Sequence, residues 1–271
     1  MYEYSIFQWI AFFGIYCFIG WAFESVYVSI EYRRWVNRGF LNGPFLPIYG
    51  FGAIIMLFCA LPVRNYTVLI FLFGMMGATA LEFFTGYVLE QIFHVKYWDY
   101  SYEPFNVKGY ICLGCSLMWG GMSILLVKLV HTPIERLVLG TNNILLILLD
   151  CIFLVEFASD VAVSAKQAFD LRKIIDEKIM QNEKVVHLQK RIDVLMAFIN
   201  DDKEKLQEKI ESSKAEISKL RLELAEAADR YNSRIAKYKN NAKRIIRRNP
   251  GSTSKRHRIE FDEIREWLQR R

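Results

Sequence analysis

Six acidic residues lie inside long apolar stretches of this chain: Glu24, Glu82, Glu90, Asp150, Glu156 and Asp160. A carboxylate at bilayer depth costs a few kcal/mol, so it faces a bundle interior or a wet cavity. Glu90 and Asp160 stand near the ends of their stretches, where an interface is within reach. Glu156 and Asp160 are spaced i, i+4 and share a helix face. Glu24 and Glu82 have no such simple account. Paired carboxylates work as acid and base when their surroundings separate their pKa values. A fixed guanidinium such as Arg38 holds a phosphate, or neutralises a buried glutamate.

Two segments surround these groups. Arg38-Gly39-Phe40-Leu41-Asn42-Gly43-Pro44-Phe45-Leu46-Pro47-Ile48-Tyr49-Gly50 alternates helix breakers with apolar residues around one cation. Tyr97-Trp98-Asp99-Tyr100-Ser101-Tyr102-Glu103-Pro104-Phe105-Asn106-Val107-Lys108-Gly109 is aromatic, with acids, an amide and a hydroxyl. An interfacial belt explains Trp and Tyr, but it does not account for Asn42, Asp99 and Asn106. Irregular backbone at membrane depth survives only where it lines a cavity or is buried in protein. These segments therefore predict a cytoplasm-facing pocket whose substrate-binding residues are Glu24, Arg38, Asn42, Glu82, Trp98, Asp99 and Asn106. The structural alternative is an Arg38 pair with Glu24 or Glu82 that serves only to neutralise a carboxylate.

Other chemistries lack their residues. There is no GxxxxGK[ST], so this chain does not cradle ATP in a P-loop, and there is no HExxH or GxSxG. His94, His131, His187 and His257 are scattered. Cys112 and Cys115 form a CxxC without a second ligand pair, and with Cys17, Cys59 and Cys151 they read as packed thiols. No metal, cofactor or catalytic residue is expected.

The elements that must position these groups follow from composition. Of 271 residues, 53% are hydrophobic, and they are unevenly spread. Residues 1–165 carry eight Lys/Arg against eleven Asp/Glu, net −3, leaving 27 against 18, net +9, for the rest. That division excludes an ordinary soluble enzyme and a mainly disordered chain. A bilayer core of about 30 Å needs roughly 20 apolar residues per helix. About five spans satisfy this, at 6–30, 44–61, 66–93, 110–130 and 141–165, the second being short and rich in Pro and Gly. Arg33, Arg34, Arg38, Lys96, Lys108, Lys166, Arg172 and Lys173 fall on one side of that arrangement, opposed by Arg64, Lys128 and Arg136. The basic side is cytoplasmic, so the N-terminus is outside and the C-terminus inside, in a multi-pass cell-membrane protein. The start Met1-Tyr2-Glu3-Tyr4 lacks the basic region of a cleavable signal, so the first span is its own insertion signal.

Residues 166–248 contain no Pro or Gly and are dominated by helix formers. Val185, Leu188, Ile192, Leu195 and Ile199 form a heptad seam, as do Ile210, Ser213, Ile217, Leu220, Leu224, Ala227 and Tyr231. The two runs are out of phase, and Asn200-Asp201-Asp202 with Glu204 and Glu208 resembles a helix cap. One rod with a stutter and a two-helix hairpin both fit. The region seeks a helical partner, or a second copy, through 185–245. From Arg230 to Arg258 there are eleven Lys/Arg and no acid, suited to anionic lipid. No base-reading motif accompanies this run, so nucleic acid is not expected. Residues 249–271 form a basic tail with a short amphipathic helix.

Several of these motifs also occur together elsewhere. Gly20-Trp21-x-x-Glu24, Asn37-Arg38-Gly39-Phe40-x-x-Gly43-Pro44-x-x-Pro47-Ile48-Tyr49-Gly50, Glu82, Trp98-Asp99-Tyr100-Ser101-x-x-Pro104-x-Asn106-x-x-Gly109 and Cys112-Leu113 resemble the bacterial ABC-transporter type IV permease family, over roughly residues 5–135. Tyr110 departs from it, standing where a basic residue is expected, with Lys108 a substitute. The resemblance implies a permease-like subunit that moves a small solute with a separate ATP-binding subunit. Two other readings stay open: a membrane-embedded enzyme on a lipid or lipid-linked substrate, and a membrane-anchored sensor or scaffold acting through its coiled coil. The expected fold is all-α, a polytopic helix bundle followed by a long cytoplasmic helical region.

Overall fold

The computed structural model describes residues 4–201, 207–254 and 257–269. Every regular element among them is helical: α1 (Ile6–Glu31), α2 (Pro47–Ala60), α3 (Thr67–Phe93), α4 (Leu113–Leu125), α5 (His131–Gly140), α6 (Asn143–Asp201), α7 (Gln207–Ala236), α8 (Lys239–Arg248) and α9 (Arg258–Gln269). The chain is all-α, with a helical transmembrane bundle. Its helix ends follow local chemistry. Ser5 and Gln8 form a capping box at α1, Pro47 opens α2, and His94 closes α3 in the left-handed region at φ 58°. Cys112 caps α4, its Sγ accepting from the Cys115 amide at 3.3 Å. That contact gives the CxxC pair a local structural use.

Three helices are long and apolar enough to cross a membrane: α1, α3 and the continuous helix Leu113–Gly140. The expected second span is a shorter apolar helix, Pro47–Val63. The expected fourth span ends at Val130, but a π segment (Leu126–Val130) carries α4 directly into α5. It continues because His131 and Glu135, polar enough to suggest a loop, find hydrogen-bond partners in Tyr4, just before α1, and Tyr16 of α1. The expected fifth span is the start of α6, which carries Asp150, Glu156 and Asp160 and runs unbroken past residue 165. The change from apolar to charged composition therefore falls inside a helix.

The chain divides into two compact units, residues 1–168 with 244–256, and 169–243 with 257–271. In the first, α1 packs on α2, α2 on α3, and α3 on α4. Small residues allow this close approach, as membrane packing requires. A Cβ at Gly20 would fall 2.3 Å from the Tyr49 side chain, and one at Gly74 would fall 2.2 Å from that of Ser123. Phe12, Leu57, Ala60 and Ile70 form the centre. Large apolar side chains such as Phe23, Tyr27, Phe58 and Phe84 stay exposed, as a lipid-facing surface requires.

In the second unit, Leu188 and Ile192 of α6 pack against Ile217 and Leu220 of α7, with Leu195 and Leu224 beside them. Arg191 pairs with Glu216 at 2.8 Å and Arg234 with Glu177 at 3.1 Å. These contacts set the two helices antiparallel. The cap read at Asn200-Asp201-Asp202 with Glu204 falls largely outside the described residues. Phe261, Ile264 and Leu268 of α9 are buried, Lys178 pairs with Glu263 at 3.0 Å, and Lys239 lies 4.5 Å above the Trp267 ring.

Candidate functional site

The loop that follows α1 is held by serines of that helix. Ser29 Oγ accepts from the Val36 amide at 2.8 Å, and Ser25 Oγ from the Arg38 amide at 3.1 Å. Gly39 then turns at φ 120°, where a Cβ would meet Leu46 Cδ1 at 2.4 Å. This path brings the Arg38 guanidinium over α1, its Nε 3.8 Å from Glu24 Oε2. Two further contacts fix it, Nη1 to Asn249 Oδ1 at 3.1 Å and Nη2 to the Tyr97 carbonyl at 3.4 Å. Tyr49 of α2 donates to Glu24 Oε1 at 2.8 Å.

Glu82 of α3 is 4% exposed. It accepts from Trp119 Nε1 at 3.0 Å and from the Tyr100 hydroxyl at 3.2 Å, and among the described residues no cation pairs with it. Glu24, Arg38, Glu82 and Trp98 line one cavity of about 220 Å³, together with Tyr49, Tyr97, Tyr100, Trp119 and Asn249. Both polar segments, α1, α2, α3 and α4 contribute to its wall.

The other three expected site residues lie elsewhere. Asn42 is turned to α6: its Nδ2 donates to Asp160 Oδ1 at 3.0 Å and to Ser164 Oγ at 2.8 Å. The amides of Asn42 and Gly43 also bond Asp160, at 3.0 and 2.6 Å. Asp160 is thus the anchor of the first segment. Asn106 closes its own loop, donating to the carbonyls of Ser101 and Glu103 at 3.2 and 2.8 Å and accepting from the Gly109 amide at 3.1 Å. Asp99 is not among the residues that line the cavity. Lys96 Nζ is 3.6 Å away, and Ser101 donates to it through its hydroxyl at 2.5 Å and its amide at 3.1 Å. Burial pushes its carboxyl up, but the Ser101 hydrogen bonds, Lys96 and Thr253 together hold it below the usual value. Asp99 and Asn106 share one reason, that a short polar side chain in irregular backbone satisfies the backbone first, whereas Asn42 is spent on side chains of α6.

Lys96, 2% exposed, is the buried cation of the second segment. It donates to the Lys108 carbonyl at 2.7 Å and lies 4.6 Å from the Tyr110 ring centroid. Tyr110, at the position where a basic residue was expected, donates to Glu90 at 2.6 Å, and its carbonyl receives Trp98 Nε1 at 2.9 Å. Gly109 has φ 74°, and a Cβ there would fall 2.3 Å from Asp99 Oδ1.

A strap from the end of α8 completes the wall. Asn249, 1% exposed, donates to the Gly39 carbonyl at 3.1 Å. Arg248 donates to Asn42 Oδ1, to the Phe40 carbonyl at 3.0 Å and to Gln167 at 2.9 Å. Burial pushes its guanidinium down to about 10. Thr253 exchanges backbone hydrogen bonds with Lys96 at 2.7 and 2.9 Å, and its hydroxyl reaches Asp99 at 3.2 Å. Read from sequence, 249–254 is only an interruption of a basic run, and nothing local to it signals this docking. Tyr49 and Tyr100 were legible as members of the two polar segments, and Trp119 was not singled out by anything local.

The model of one protein family, described as Putative ABC-transporter type IV, matches residues 11–165. No curated protein and no solved structure matches the chain.

Proposed function

The chain belongs to the family described as Putative ABC-transporter type IV, and from that premise we propose that it is a permease-like subunit that binds a small solute in the cavity described above. The observation that carries this reading is the convergence of Glu24, Arg38, Glu82 and Trp98 on one cavity of about 220 Å³. That volume is below the roughly 300–1,000 Å³ of sites for drug-sized ligands, so the solute is small. The distribution of Lys and Arg supports an outside N-terminus and an inside C-terminus, which opens the cavity toward the cytoplasm. A separate ATP-binding subunit supplies the energy, and it, or a second copy, docks on the outer faces of the helical region 185–245, since the heptad seam itself is closed between α6 and α7. The basic stretch 230–258 meets anionic lipid.

Co-purification through residues 169–243, followed by reconstitution, tests this. An ATP-binding subunit is expected in the complex, and Glu82→Gln and Arg38→Ala should each cut flux at least tenfold. Wild-type flux in both variants would end the reading. One observation favours a second reading, in which the chain handles a lipid. An apolar cavity of about 250 Å³, lined by Ile19, Phe23, Met56 and Leu125, shares Tyr49 and Trp119 with the polar one. Turnover of a lipid-linked substrate by the isolated chain would establish it.

A further inference from the structure

The charges of the cavity do not balance. Arg38 is matched by Glu24 at 3.8 Å. Glu82 is met only by the neutral donors Trp119 and Tyr100, and among the described residues no Lys, Arg or His pairs with it. A buried carboxylate of this kind is stable when a cation completes it. The walls around it are of the type that receives cations: Trp98, Trp119, Tyr49, Tyr97 and Tyr100 all face the same volume. Indole and phenol faces attract an ammonium group, more strongly when it is desolvated.

We propose that the ligand of this cavity is a small protonated organic amine whose ammonium group pairs with Glu82 between the rings of Trp98 and Trp119. Arg38 sets the other end of the site. Held by Glu24 and Asn249, its guanidinium is already matched, so a simple monocation completes the charge of the cavity, whereas a ligand that also bears a carboxylate or phosphate would restore the deficit. This assignment rests on the reading of the cavity as a solute site and adds the chemical class of the solute.

The test uses the purified full chain in lipid nanodiscs, with calorimetric titration of n-butylammonium chloride and, as the matched anion, sodium butyrate, at constant ionic strength. Saturable binding of butylammonium is expected, with butyrate binding at least tenfold weaker. Glu82→Gln retains a hydrogen-bonding group toward Trp119 and Tyr100 and should weaken butylammonium at least tenfold. Glu24→Gln frees Arg38 and should strengthen butyrate relative to wild type, a change that a misfolded variant does not produce. Absence of butylammonium binding, equal binding in Glu82→Gln, or a preference for butyrate in the wild-type chain overturns the proposal. A protonated-carboxyl infrared band that Glu82→Gln removes and butylammonium leaves unchanged also overturns it, because Glu82 then carries its own proton. The two readings fail separately. Flux of an anion without amine binding removes the amine and keeps the permease, whereas amine binding without flux of any solute removes the permease and keeps the amine.

Discussion

The two ends of α1 bury polar groups in opposite ways. Near its start, Tyr4 donates to Glu135, so its oxygen accepts from His131 Nε2 at 3.2 Å, which leaves His131 Nδ1 to accept from the Tyr16 hydroxyl at 2.8 Å. The proton order is thereby fixed along Tyr16, His131, Tyr4 and Glu135. Phe12 packs edge-on against the imidazole at 5.1 Å, and Trp9 against Tyr4 at 5.2 Å. At the other end, Glu24 and Arg38 meet across 3.8 Å, while Glu82 faces a cavity of about 220 Å³. One cluster spends its hydrogen-bonding capacity within itself and stabilises the bundle. The other keeps capacity in reserve around empty volume, which is what recognition requires. The presence of buried ionisable groups does not separate the two; the presence of a complementary void does.

Removing a member of each cluster tests this contrast. His131→Ala strands the Tyr16 hydroxyl, removes one of the two partners of Tyr4 and leaves a cavity, and should destabilise the protein by about 3–5 kcal/mol. A large fall in melting temperature with amine binding intact in the folded fraction would confirm the closed cluster as structural. Arg248→Ala removes the donor to Asn42 Oδ1, Gln167 Oε1 and the Phe40 carbonyl and loosens the strap, at a cost of about 2–4 kcal/mol. Unlike His131→Ala, it should also weaken ligand binding, because Asn249 lines the cavity. Glu82→Gln should shift stability by no more than about 1 kcal/mol, or raise it, since functional carboxylates are held against stability. A melting loss as large as that of His131→Ala would place Glu82 among the structural residues and erase the contrast.

The smallest effect concerns acid. Asp99 has a lowered folded value from the ordinary 3.8, so its stabilising contribution is complete above that value and is lost as pH falls through the lowered one. Melting curves between pH 5 and pH 2 should show a decline that Asp99→Asn flattens. An identical decline in both proteins would remove Asp99 from that account.

Periodicity and charge placement revealed the bundle and the seam of Leu188, Ile192 and Leu195, because those patterns are local. Glu24, Arg38, Glu82 and Trp98, which line one cavity, were legible as candidates for a related reason: their types are costly or unusual where they stand. Asn42, Asp99 and Asn106 gave the same signal for another cause, since a polar side chain that stitches a loop looks in sequence like one that binds a ligand. The Tyr4, Tyr16, His131 and Glu135 cluster was invisible. Its members pair across more than a hundred positions, and His131 alone resembles a residue at a helix end. Asn249 and Thr253 were hidden more deeply, because their partners belong to loops made long before them.

That separation in sequence sets an order of assembly. Helices emerge from the ribosome in sequence, so α1 to α4 can enter the bilayer while α8 is still unmade. At about 5–20 residues per second, Glu24 precedes Asn249 by some tens of seconds. Throughout that interval Arg38 lacks its Asn249 contact, and Lys96 lacks its backbone exchange with Thr253. The wall of the cavity is therefore among the last parts of the molecule to be finished. A nascent chain halted at residue 240 can hold its inserted helices yet lack the Asn249 and Thr253 contacts that close the cavity wall.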